Sequence, residues 1–173
     1  MPQTSHDRLP GSYPPPRGRP DFHIKSTGER IHVAAVCYRL KDDEPEFLLV
    51  RTRGGRWTFP KGGVDNDATH AAAAAREAYE EAGVHGQIER EPFHWYFHSK
   101  GSRSTRLVAV QAHLCEVERL VAPQEDHRNP TWFQVDKARR RLQQNRPPQF
   151  AEEISHLIDR AIRRIRARSR PVA

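Results

Sequence analysis

An α+β domain is what the sequence predicts, and three observations carry that expectation. Apolar runs of strand length recur between turn residues, five consecutive alanines (Ala71 to Ala75) mark a helix, and Phe150 to Ile165 carries apolar side chains at helical spacing. A chain of 173 residues has room for one ordinary domain and a tail, and can bury a core without disulfide or metal staples. Only 36% of the residues are hydrophobic, so a folded core requires them to be concentrated; they cluster between about Ile31 and Ile165.

Each element follows from local chemistry. Met1 to Asp21 carries Pro2, Pro10, Pro14, Pro15, Pro16 and Pro20, and proline fits neither a helix interior nor a central strand. Residues 1–22 are therefore expected to be a disordered tail and residues 23–168 the folded domain. Ile31 to Tyr38 reads as a buried strand, and Phe47 to Arg51 as its hairpin partner across the polar turn Lys41 to Glu46. Gly54 and Gly55 precede a short aromatic strand, Trp57 to Phe59, which ends in the turn residues Pro60 to Gly63. The alanine run makes Thr69 to Ala82 helical, and Gly83 stands where a helix terminates. Thr105 to Leu114 alternates, with Val108, Val110, Ala112 and Leu114 on one face and Phe93 to His98 as hairpin partner. Trp132 to Val135 is a further strand, with Asp136 capping a helix to about Leu142. The stripe Phe150, Ile154, Leu157, Ile158, Ala161, Ile162 and Ile165 should dock the last helix on the sheet.

Charge and cysteine content narrow the function classes. The net charge of +7 favours a polyanionic partner: a phosphorylated metabolite, a nucleotide or a nucleic acid. No run approaches the length of a membrane span, and the amino terminus lacks the apolar core of a secretory signal, so a cytoplasmic protein with no membrane partner is expected. Cys37 and Cys115 are far apart in sequence, each within an apolar run, and read as buried reduced thiols. No sequence feature bears on oligomeric state.

The chemistry concentrates in Gly62 to Val84. On a helix Glu77 and Glu81 lie one turn apart and converge on one patch, with Glu80 beside them. Like charges at that spacing disfavour a helix by roughly 0.2–0.5 kcal/mol per pair, a cost that a divalent cation reverses. Arg76 and Glu80 share the spacing and can pair, leaving Glu77 and Glu81 to face a metal. Hard oxygen ligands with an open side suit Mg²⁺, which keeps waters and takes few carboxylates plus substrate phosphates. An ordinary charged helix face is the plain alternative for a lone Glu pair.

The surrounding residues resemble the Nudix signature, G-x5-E-x7-R-E-U-x-E-E-x-G-U with U apolar. It aligns on Gly62, Ala68, Arg76, Glu77, Ala78, Glu80, Glu81, Gly83 and Val84, departing only at Ala68, where the family has its first glutamate. Trp57 to Val64 is similar to the W-x-x-P-K-G-G run of the subgroup acting on diphosphoinositol and diadenosine polyphosphates, and Trp132-Phe133 to the end of that subgroup's domain. The resemblance implies the Nudix fold, a mixed β-sheet sandwiched between α-helices. It implies Glu77 and Glu81 as ligands of Mg²⁺, or Mn²⁺ in its place, with the Lys61 carbonyl as a further ligand. It also implies that Glu80 assists them and that Arg76 braces the loop. The reaction implied is hydrolysis of a phosphoanhydride in a polyphosphorylated small molecule, such as a dinucleoside polyphosphate or a diphosphoinositol polyphosphate.

Ala68 removes one acidic group of the box, for which Asp65 and Asp67 are nearby substitutes. Glu80, Glu81 and Glu125 are all open as general base, Glu125 reading more simply as a surface acid. Arg51, Arg53, Arg56, Lys61, Lys100, Arg103 and Arg106 cluster around one loop system and suit phosphate oxygens, with solubilising charge as the plain alternative. His70, His94 and His98 are weaker phosphate candidates. Two other readings stand beside the first: removal of pyrophosphate from the 5' end of RNA, suggested by Arg160, Arg163, Arg164 and Arg166, and a scaffold that binds nucleotide or nucleic acid without turnover, suggested by Ala68.

Overall fold

The computed structural model describes residues 31–65, 68–99 and 107–169. The expected tail lies outside the described residues, as do Asp67, Lys100, Arg103 and Arg106.

Strand β1 (His32–Lys41) is buried without interruption from Val33 to Tyr38. It is covered on both faces, which is why it reads as an apolar run and not as an alternating one. The hairpin to β2 (Glu44–Arg51) is tighter than expected. Asp42 and Asp43 close it at φ 51° and 62°, with Lys41 opposite Glu44, so the second strand begins three residues before Phe47. Two left-handed residues match the strand twist, and aspartate tolerates that conformation better than most side chains.

After β3 (Trp57–Thr58), the segment expected as a turn is itself a strand: β4 (Lys61–Gly63) runs antiparallel to β1 with Gly62 opposite Val33. Helix α1 (His70–Ala82) starts where the Thr69 hydroxyl accepts the Ala72 N–H at 3.1 Å and ends at Gly83, φ 65°. A β-carbon at Gly83 would lie 1.9 Å from the Val121 carbonyl oxygen, so conformation and space both require glycine.

Strand β5 (Val84–Ile88) has no counterpart in the sequence reading; Val-His-Gly-Gln-Ile neither alternates cleanly nor forms an apolar run. It pairs with β7 (Leu107–Leu120) through a bulge at His85/Gly86. Strand β6 (His94–Ser99) is the expected partner of β7, which runs on past Leu114. A 3₁₀ turn (Asp126–Arg128), β8 (Thr131–Gln134), α2 (Val135–Gln143) and α3 (Pro148–Arg168) complete the chain. Gln134, not Asp136, is the α2 cap; Asp136 sits in the first turn, where its charge favours the positive end of the helix.

The strands order as β3-β2-β1-β7-β5, with β4 also on β1, β6 also on β7 and β8 also on β2; β1 and β7 are parallel and the other pairs antiparallel. Helix α1 covers one face, its Ala73, Ala74, Ala78 and Ala82 packed with Val33, Ala35, Cys37, Leu48 and Val50. Helices α2 and α3 cover the other, where Ile154, Leu157, Ile158, Ala161 and Ile165 of the expected stripe meet Val36, Phe47 and Leu114. This is the mixed sheet between helices that the sequence implied. Among the described residues no helix is long and apolar enough to cross a membrane. Cys37 and Cys115 are buried and free, and although distant in sequence they stand opposite each other on β1 and β7.

Candidate active site

Helix α1 and strand β4 bring the signature residues together. Gly62 lies so close under the helix that a β-carbon there would sit 2.3 Å from the Glu77 carboxylate. Glu81, in the last turn, is 2% exposed. Its Oε1 accepts from the Arg128 guanidinium at 2.9 Å, while its Oε2 is buried with no hydrogen-bond partner among the described residues. Such an oxygen is costly to leave bare and marks a place for a cation or a proton. Burial, moderated by Arg128, pushes the Glu81 carboxyl up to about 7. Burial, with Glu80 alongside, also raises Glu77.

The loop after β7 closes over this end of the helix. The Gln124 and Glu125 N–H groups donate to the Glu80 carbonyl at 3.0 and 3.2 Å, and Arg128 Nε reaches the Glu125 carboxylate at 2.5 Å. Glu125 thus joins the carboxylate group as Arg128's second partner, rather than standing apart as a surface acid.

On the other side of Lys61 a cleft is lined by Arg56, Thr58, Lys61, Tyr96, Arg146 and Phe150. Burial lowers the Lys61 ammonium to about 8 against the pull of Glu81, and lowers the Arg146 guanidinium to about 10. Arg146, in the connection between α2 and α3, donates to the carbonyls of Leu142 and Trp57, the latter at 3.0 Å. Three cations thus line one cleft, with Lys61 and Arg146 desolvated, an arrangement that suits phosphate oxygens.

The NUDIX domain profile matches residues 30–154, most of the folded chain. The chain belongs to the Nudix family. Nudix hydrolase 18 of Arabidopsis thaliana, a mitochondrial protein, is 36% identical over 65% of this chain and 68% of its own length. Diphosphoinositol polyphosphate phosphohydrolase 3-beta of Homo sapiens is 32% identical over 69% and 73%. The fold matches that of an Ap4A hydrolase from C. elegans with TM-score 0.60, at 22% identity, covering 79% of this chain and 97% of that one. The protein is accordingly a Nudix phosphohydrolase of phosphoanhydride bonds, and its sequence relatives include diphosphoinositol polyphosphate phosphohydrolases.

Within the Nudix box the Arg76–Glu80 pair that the helix spacing suggests is present but long, and a shorter one stands beside it. Arg76 makes its short contact with Asp65, 2.9 Å, and lies 4.0 Å from both Glu77 and Glu80. Asp65 thereby braces Arg76 from the same loop in which Ala68 replaces the usual glutamate. Glu81 is not left free, because Arg128 holds it. Arg51 does not reach the cleft: its guanidinium lies over the Trp57 ring at 5.1 Å and donates to the Gly55 carbonyl at 3.2 Å. Arg53 is exposed on the turn, and Arg56 is the member of that trio that lines the cleft. Of the histidines, His98 lines the cleft, and His70 Nδ1 is 2.5 Å from Gln111 Oε1 on β7. Arg128 and Arg146 are absent from the sequence-level candidates. Each stands in a loop with no periodicity, and the turn chemistry at Asn129-Pro130 and Pro147-Pro148 marks the loop without marking the arginine.

Proposed function

We propose that this Nudix protein is a Mg²⁺-dependent hydrolase of a highly phosphorylated small molecule, a dinucleoside polyphosphate or a diphosphoinositol polyphosphate. The observation that carries the reading is a buried carboxylate with an oxygen that no described residue claims, beside a cleft lined by Lys61, Arg56 and Arg146. Among the described residues no three His, Cys, Asp or Glu side chains form a ready metal cage. Magnesium asks for less: one or two carboxylates, with water and phosphate completing its sphere. Glu81 with its bare Oε2, and Glu77 over the Gly62 backbone, supply that donor set, and the Lys61 carbonyl is assigned as a further ligand. Bound there, Mg²⁺ or Mn²⁺ supplies charge for the phosphates and acidifies water. Arg76, held by Asp65, steadies the loop and orients Glu77 and Glu80. Lys61, Arg56 and Arg146 hold the anionic chain in line with the carboxylates, and Arg53, Lys100, Arg103 and Arg106 are assigned to its outer phosphates. Glu80 is the carboxylate left to take the proton of water, since Glu125 is held by Arg128. A content of two cysteines, both buried, supports a reducing compartment, the cytoplasm in this reading.

Of the four arginines behind the RNA 5'-end reading, Arg164 is drawn to Glu89 at 3.1 Å, so that reading draws less support from this helix. The test is product release from diadenosine tetraphosphate, a diphosphoinositol polyphosphate and 5'-triphosphorylated RNA, with and without Mg²⁺. The proposal expects metal-dependent turnover of one of the first two. It expects Glu81→Gln to lose more than the roughly 10–100-fold that removing an outer partner of a metal ligand costs. Preferential turnover of the RNA, or metal-independent turnover, overturns it.

A further inference from the structure

We infer that Arg128 is an internal counter-ion that holds Glu81 until a divalent cation takes its place, and that this exchange couples metal loading to the loop at 124–128. The inference rests on the reading of Glu77 and Glu81 as metal ligands, and concerns a residue outside the Nudix box.

Three observations lead to it. Glu81 is buried, and a buried carboxylate persists as an anion only beside a positive charge. Arg128 Nη2 supplies that charge at 2.9 Å, with its side chain only 18% exposed, so little solvent screens the pair. The same guanidinium spends its Nε on Glu125 at 2.5 Å, and the Glu125 N–H is fixed to the Glu80 carbonyl at 3.2 Å. One arginine therefore ties the last turn of α1 to the loop that carries Glu125.

A guanidinium and a divalent cation cannot share a buried carboxylate without repulsion. Held on one carboxylate, the two charges face each other at short range where little solvent screens them. Arg128 then either yields Glu81 Oε1 or weakens metal binding, and in both cases it competes. With Glu125 as its second partner, the released guanidinium keeps a neutralising anion, so the exchange leaves no buried charge bare. The loop at 124–128 then relaxes toward solvent when the metal site fills.

The experiment is calorimetric titration of Mn²⁺ alone into the full-length wild type, Arg128→Gln and Arg128→Lys, at about pH 8.5 so that proton competition at Glu81 is small. The inference expects Arg128→Gln to bind Mn²⁺ at least about fivefold more tightly than wild type, the lower end of ordinary coupling energies, and Arg128→Lys to stay near wild type. Unchanged or weaker binding by a folded Arg128→Gln overturns it. Should that variant not fold without metal, the side-chain Nη–H resonance of Arg128 in the wild type, assigned by its loss in Arg128→Lys, decides. A shift that saturates with Mg²⁺ binding supports the exchange, and a resonance that stays in place while metal binds overturns it. Absence of Mn²⁺ uptake by every form instead overturns the metal-site reading itself.

Discussion

Single side chains decide whether the site can be built. Gly62 leaves room for Glu77, and Gly62→Ala would drive a methyl group into its carboxylate. The expected result is loss of most turnover with a thermal midpoint near wild type, since the clash falls on the end of one side chain. Asp65 carries the bracing of Arg76 in a box that has Ala68. Asp65→Asn should therefore cost about tenfold or more in turnover, and Ala68→Glu should recover activity in the Asp65→Asn background while changing little in the wild type. His113 tests the core instead of the chemistry. Its Nδ1 lies 3.0 Å from the Glu89 carbonyl and its Nε2 is buried without a partner among the described residues; burial lowers it below the ordinary value of 6.5. The unfolded chain takes up that proton first, so His113 contributes stability above about pH 6.5 that is lost as pH falls through its folded value. Urea midpoints measured from pH 7 down to 5 should fall less steeply in His113→Asn, which cannot titrate there.

The elements show which parts of the molecule the sequence discloses. Helix α1 was legible because propensity, cap and terminator coincide: five alanines, Thr69 and Gly83. Thr69→Ala is expected to cost about 1 kcal/mol, readable as a lowered denaturation midpoint. Helix α3 was legible from its stripe, and Leu157, fully buried in that stripe, should cost about 2–5 kcal/mol when cut to Ala. A contact across layers that no pattern shows adds to it: buried Glu153 accepts the Phe97 N–H at 2.9 Å and fastens α3 to β6. Strands β4 and β5 were not legible, since Lys-Gly-Gly and Val-His-Gly-Gln-Ile show neither clean alternation nor an apolar run and are held by their neighbours' hydrogen bonds. The acidic residues of the site could be read because one helix holds them at fixed spacing. Lys61 and Arg56 could be read from their loop, but Arg128 and Arg146 could not, because they meet Glu81 and Lys61 only after the whole chain has folded.

At the scale of the whole molecule, the two faces of the sheet divide the work. The α1 face carries the carboxylates, while the α2 and α3 side supplies Arg146 to the cleft. A polyanion held between them is expected to bind less tightly as salt rises, with KM increasing more than kcat falls. The parallel pairing of β1 with β7 has a consequence for how the protein is made. Tyr38 on β1 contacts Glu116 on β7, 78 residues farther along the chain. At ordinary rates of synthesis a ribosome takes roughly 4–16 seconds to cover that distance, and during that interval the most apolar strand of the protein has one long edge unsatisfied. A nascent chain in that state is a natural client for chaperones, and a product truncated before Leu107 is expected in the insoluble fraction of an expression lysate.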